Sequence, residues 1–149
     1  MNREALTALK EKAAQEPYAN KLGLKLLTLE KGHAIVQMVP QKNLENIFGM
    51  THGGAIFSLI DEAFQLSCNS HGTVALALNV SVTYHRAPDF RRPLIAESKE
   101  VHLTRRTGTY EIRVTHDGGE LIASSMALAF RKSEKLPFLE NIPEHDVPE

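Results

Sequence analysis

The chain has 149 residues, 42% of them hydrophobic and 23% charged, and a formal net charge of −1. A chain of that size builds a core without staples, and its charge gives no basic excess to attract nucleic acid. Its single cysteine, Cys68, excludes an intrachain disulfide, and no Cys/His grouping has zinc spacing, so a reducing cytoplasm fits best and no metal is expected. Met1–Glu16 lacks the apolar segment of a signal peptide, and no run is long enough to span a bilayer, so no membrane partner is expected.

From Arg3 to about Gln15 the residues favour a helix, with Leu6, Leu9 and Ala13 on one stripe and Pro17 after its end. Leu22–Glu30 and His33–Val39 read as two strands joined at Lys31-Gly32, a hairpin signal, and Pro40 closes the second. Residues 41–52 are polar and irregular. A second helix then runs from about Gly54 to Ser70, apolar nearly all round except for a stripe at Ser58, Asp61 or Glu62, Gln65 and Asn69. Such a helix is buried on most faces.

After Gly72 the period changes to two: Val74, Leu76, Leu78, Val80, Val82 and Tyr84 alternate with smaller or polar residues. Further strands are expected at about Leu94–Leu103, Thr109–His116 and Glu120–Arg131, with reversals at Arg106-Thr107-Gly108 and Asp117-Gly118-Gly119. Short reversals favour antiparallel neighbours. The fold class is α+β, one long helix against a largely antiparallel sheet. The N-terminal helix (1–18) packs on a main domain (19–131), and residues 132–149, with several prolines and acids, read as a tail.

Asn46 to Asp61, N-I-F-G-M-T-H-G-G-A-I-F-S-L-I-D, carries most of the chemistry. Gly53 and Gly54 open the apolar helix, where the first amides lack partners within it and negative charge is favoured. Asp61, among Ile56, Leu59, Ile60 and Phe64, loses hydration, which raises its pKa and makes it a better base. An amide site for a nascent oxyanion beside such an acid points to acyl-group hydrolysis. His52 is read as fixing the loop more than as a general acid. Glu62 lies about 100° round the helix and reads as a solvated or interface acid. Cys68 reads as a packing residue, and His71 as a cap at the helix end.

Asn46, Gly49, His52-Gly53-Gly54 and Asp61, followed by Asn79-Val80-Ser81-Val82-Thr83-Tyr84 and Pro88, resemble the hotdog-fold acyl-CoA thioesterases of the PaaI-like (phenylacetate degradation) group over about residues 20–131. The resemblance implies an antiparallel sheet curled round one central helix, dimers that share a continuous sheet, and dimers of dimers. It implies Asp61 as general base or nucleophile, the Gly53 amide as the polarising donor, and Asn46 as an orienting group. Some relatives hold the attacking water with a Ser or Thr on the next strand. Ala77 stands at that position here, and Asn79 or Ser81 substitutes near the substrate only where the local geometry differs.

Asp61 follows Gly53 by eight residues, about 12 Å along a helix, whereas one reacting carbonyl must lie about 3 Å from both groups. One subunit cannot easily supply both; a twofold dimer can, with two composite sites. Asp61, Gly53, Asn46 and His52 are therefore the catalytic candidates, and Gly54, Asn79, Ser81, Arg86 and Arg106 the substrate-binding ones. The arginines suit the phosphates of coenzyme A. Hydrolysis needs no cofactor, since coenzyme A enters with the substrate. The alternatives are an acyl-thioester hydratase or dehydratase of the same fold, or a non-catalytic acyl-CoA-binding domain.

Overall fold

The computed structural model describes residues 3–139. An antiparallel sheet of six strands, in the order β1-β2-β4-β5-β6-β3, wraps one 17-residue helix, α3 (Gly53–Asn69). The strands are β1 (Leu24–Glu30), β2 (His33–Met38), β3 (Thr73–Tyr84), β4 (Leu94–Leu103), β5 (Thr107–Thr115) and β6 (Leu121–Lys135). Every strand touches α3, so its apolar residues become the core: Ile56, Leu59, Ile60, Ala63 and Phe64 are buried against Val36, Ala96, Ile112 and Ala127. This is the α+β arrangement the sequence leads one to expect.

Two elements flank it. Helix α1 (Arg3–Ala14) buries Ala5 and Leu9 in the core. A second short helix, α2 (Pro17–Leu22), has Pro17 at its first position and ends on Gly23, whose φ of 69° makes the left-handed cap. The sequence reading ran a strand from Leu22, because six residues are too few to display a helical period. The tail expected from Lys132 is also corrected: Lys132–Lys135 continue β6, and Leu136 and Leu139 are buried beside α1. The rest of that segment, 140–149, lies outside the described residues.

Strand β3 departs from a clean alternation, and the reason is a bulge. Its pairing with β6 shifts between Ala77 and Asn79, after Ala77↔Ala129 and before Val80↔Ala127. Ala129 and Ala127 are buried, so Ala77, Val80 and Val82 share the inner face while Leu76, Asn79 and Ser81 pair with Phe130, Leu128 and Met126 on the outer one. One extra residue reverses the parity of all that follow. The Asn69 carboxamide holds the start of β3 to α3, donating to the Ala75 carbonyl (3.1 Å) and accepting from its amide (2.9 Å).

Candidate active site

The approach to α3 is built by Asn46. Its Oδ1 accepts from the amides of Phe48 (2.9 Å) and Met50 (3.1 Å), and its own amide donates to the Met50 carbonyl at 2.7 Å. Gly49, with φ of 73°, completes the tight loop. The Asn46 Nδ2 group has no partner among the described residues and remains a free donor.

His52 then caps the helix. Its Nδ1 accepts from the Gly54 amide at 2.8 Å, and its carbonyl takes the amides of Ala55 (2.9 Å) and Ile56 (3.2 Å). Three of the four first-turn amides are thereby used. The fourth, Gly53 N–H, has no acceptor among the described residues. The two glycines differ in purpose, and neither has a positive φ. A Cβ on Gly54 would come within 3.0 Å of His52 Nδ1 and disturb the cap, whereas one on Gly53 would only meet the Tyr84 ring at 3.5 Å. Tyr84 Oη donates to the Gly53 carbonyl at 3.0 Å. Gly54, expected at the substrate, has its amide committed to His52.

Asp61 lies two turns further along, half-buried and without a hydrogen-bond partner among the described residues. Burial raises its pKa, and the nearby Glu16 charge raises it further. Glu62 corrects the sequence reading: it is buried, at 7% exposure, not solvated. The connection between α1 and α2 covers that side of α3 and brings Glu16 over it. Gln65 Nε2 bridges the two acids, 2.7 Å to Glu16 Oε2 and 2.9 Å to Glu62 Oε1. Burial, then the charge and hydrogen bond of Glu16, push the Glu62 carboxyl up to about 8, so the pair holds a proton near neutrality. Burial likewise pushes the Cys68 thiol up to about 12, which suits a packing residue.

The other candidates are dispersed. Asn79 and Ser81 lie on the outer face, bonded to each other at 3.3 Å and turned from α3. Arg86 donates its backbone amide to Ile122 at one end of β6, whereas the Arg106 carbonyl accepts from Arg131 near the other. Nine residues of strand separate those ends, about 30 Å, so one protomer does not bring the two arginines together. Arg91 pairs with Asp89, and Arg92 with Asp117 and Glu120. His71 does not stand free as a helix cap: it is buried and meets Glu100 at 2.6 Å.

Gly53 and Asp61 thus stand on one helix, about 12 Å apart along its axis. Around them the surface is apolar: Ile47 is 93% exposed and Phe48 74%, with Met50 and Phe57 also open. Among the described residues no group of three acids, histidines or cysteines could hold a metal, and no helix is long and apolar enough to cross a membrane. The model of the thioesterase superfamily matches residues 48–123, from the loop before His52 through β6 residue Ala123. Over 106 residues the chain is also 31% identical to the acyl-coenzyme A thioesterase PaaI of Escherichia coli, covering 70% of this chain and 75% of that protein. The chain belongs to the thioesterase superfamily.

Solved structures of similar proteins agree. The E. coli PaaI protein from the phenylacetic acid degradation operon superposes with a TM-score of 0.78 at 27% identity, over 85% of this chain and 98% of that one. A mutant of the phenylacetic acid degradation protein PaaI from Thermus thermophilus gives 0.75 at 35% identity, over 78% and 100%. A Streptococcus mutans protein solved with acetyl CoA gives 0.72 at 27% identity, over 76% and 91%. As a member of the superfamily the chain is a thioester hydrolase with the hotdog fold expected from its motif. Three residues of this thioesterase escape the sequence: Glu16 and the Tyr84 hydroxyl reach the site from other elements, and Gln65 joins them from α3 itself. Only the polar stripe on α3 hinted at Gln65.

Proposed function

We propose that this protein is an acyl-CoA thioesterase with composite sites in a homodimer, the Gly53 amide of one protomer facing Asp61 of the partner subunit. The observation that carries the reading is the division of the first turn of α3: His52 takes three amides and leaves Gly53 N–H free, while Asp61 keeps an unbonded, poorly hydrated carboxylate.

In this mechanism the thioester oxygen accepts from Gly53 N–H, with Asn46 Nδ2 orienting the reacting groups and the His52 ring fixing the loop. Asp61 removes a proton from water as its oxygen bonds to the carbonyl carbon. The negative charge gathers on the oxygen at Gly53. Collapse breaks the carbon–sulfur bond, and the proton on Asp61 passes to the departing sulfur, giving a free acid and coenzyme A. Direct attack by Asp61, with water opening the resulting anhydride, uses the same donors. Water and thioester balance the reaction, and no cofactor takes part.

The free edge of β3, with Leu78 and Tyr84 exposed along it, supports strand-to-strand dimerisation. Leu76, Met126 and Phe130 on the outer face support a second interface and a dimer of dimers. The exposed Arg86 and Arg106 guanidinium groups suit coenzyme A phosphates, at different sites of the assembly. The outward position of Asn79 and Ser81 keeps them from holding water beside Asp61 of their own chain.

The test is a thiol-release screen over aromatic and aliphatic acyl-CoAs, run beside Asp61→Asn. Wild type releases coenzyme A from at least one of them and the mutant does not. Equal rates would remove Asp61 from the mechanism, and enoyl products instead of thiol would move the protein to hydration chemistry.

A further inference from the structure

The Tyr18 hydroxyl lies 2.8 Å from Ser58 Oγ, and Ser58 Oγ in turn donates to the Gly54 carbonyl at 2.8 Å. A serine hydroxyl carries one hydrogen, and this one is committed to Gly54, so Tyr18 is the donor in the first bond. The same direction continues through the backbone. The Gly54 carbonyl and the Ala55 amide belong to one peptide group, and that amide donates to the His52 carbonyl at 2.9 Å. The His52 carbonyl and the Gly53 amide share the peptide group before it. Three hydrogen bonds therefore run head to tail from Tyr18 through Ser58, Gly54–Ala55 and His52. They end on the Gly53 N–H, which has no acceptor among the described residues.

Hydrogen bonds linked in this way polarise one another, by about 10–30% per bond, so each donor strengthens the next. The last group in the series is the donor that the proposed mechanism asks to hold a nascent oxyanion. The series also restrains geometry. Two successive glycines place few limits on their own backbone torsions, so the direction of the Gly53 amide depends on what its neighbours are tied to.

Packing and helix formation do not account for the two side chains. Tyr18 is 59% exposed, so its ring gains little by burial, and what it brings to α3 is the hydroxyl. Ser58 bonds back to the carbonyl one turn earlier, which slightly weakens a helix, and alanine there would favour the helix more.

Resting on the thioesterase reading above, we infer that Tyr18 and Ser58 are positioning residues for the oxyanion donor. They orient and polarise the Gly53 amide without touching substrate. Tyr18 belongs to α2 and lies outside residues 48–123, so a flanking helix supplies the site with a group that the family match does not contain.

The test places Tyr18→Phe and Ser58→Ala, separately, in wild type and in Gly53→Pro, and follows steady-state kinetics, thermal melts and amide NMR of the full chain. In wild type each should lower kcat about three- to tenfold, less than the roughly 10²–10³ for loss of the donor itself, and leave KM nearly unchanged. Ser58→Ala should melt no lower than wild type, which separates weaker catalysis from a weaker fold. In Gly53→Pro the series has no terminal donor, so neither substitution should lower kcat further. Equal losses with and without the Gly53 amide, or wild-type kcat in both variants, would overturn the inference. If no acyl-CoA is hydrolysed, the thioesterase reading falls by itself and the amide signals decide. Upfield movement of the Ala55 and Gly53 amide protons together in Tyr18→Phe would still uphold the series, and unmoved signals would dismiss it.

Discussion

The Tyr84 hydroxyl donates a 3.0 Å hydrogen bond to the Gly53 carbonyl, tying the last residue of β3 to the first residue of α3. The amide on the other side of Gly53 is the free donor of the candidate site. Both groups belong to one residue, so the strand end fixes where that amide points. Tyr84→Phe should cost about 1 kcal/mol or less of stability at this exposed position. It should lower kcat more than it raises KM, since it loosens the donor and leaves the substrate surfaces intact. Thermal melts beside steady-state kinetics check the split.

Gly53→Pro removes the amide and little else. Gly53 is the first helical residue, where proline is favoured, and His52 has the extended φ of −62° and ψ of 137° that a following proline demands. The variant should retain the fold and lose about 10²–10³ in kcat. A proline variant that keeps wild-type kcat would exclude this amide as the oxyanion donor.

Asp61→Asn should lose about 10²–10⁴ in kcat while melting no lower than wild type, because a poorly hydrated carboxyl is replaced by a neutral amide. Mixed with Gly53→Pro under conditions that exchange subunits, it should recover part of the activity, since one of the two sites in each heterodimer is then intact. Verified exchange with no recovery would argue for sites built within single chains.

The acid pair sets two pH responses of known sign. Glu62 stands at about 8 in the folded protein, above its ordinary 4.5, so the folded state retains a proton that the unfolded chain has released. Its contribution to stability is complete below pH 4.5 and is lost as pH rises through 8. Glu62→Gln should flatten the decline in melting temperature between pH 5 and 9, a range set by that shift. Activity should behave in the opposite sense, because Asp61 works deprotonated in the proposed mechanism and its raised pKa makes the rate fall as pH drops. Glu16→Gln removes the second cause of that rise and should move the acidic limb of kcat to lower pH.

The exposed edge of β3 gives a test of assembly. Leu78 is 58% exposed there, and Leu78→Glu places a charge where strand pairing would bury it. Analytical ultracentrifugation should show the proposed dimer dissociating at concentrations where wild type holds together, with loss of thiol release. A stable, active dimer would assign the interface elsewhere.

The chain's own order of residues determined what is local. The apolar periodicity from Gly53 to Asn69 made a buried helix, the alternations after Gly72 made strands, and the motif that holds Asn46, His52, Gly53 and Asp61, with the family it resembles, pointed to the chemistry proposed. Helix geometry also dictated that Gly53 and Asp61 are too far apart to share a carbonyl. What needed three dimensions were relations between distant segments. The bulge at Leu78 exists only against β6, and it turned Asn79 and Ser81 outward. Glu16 becomes a neighbour of Asp61 and Glu62 only once the α1–α2 connection folds over α3, and that contact buried an acid read from the sequence as solvated or at an interface. Periodicity records which face a residue shows, whereas burial and pKa depend on what arrives to cover it.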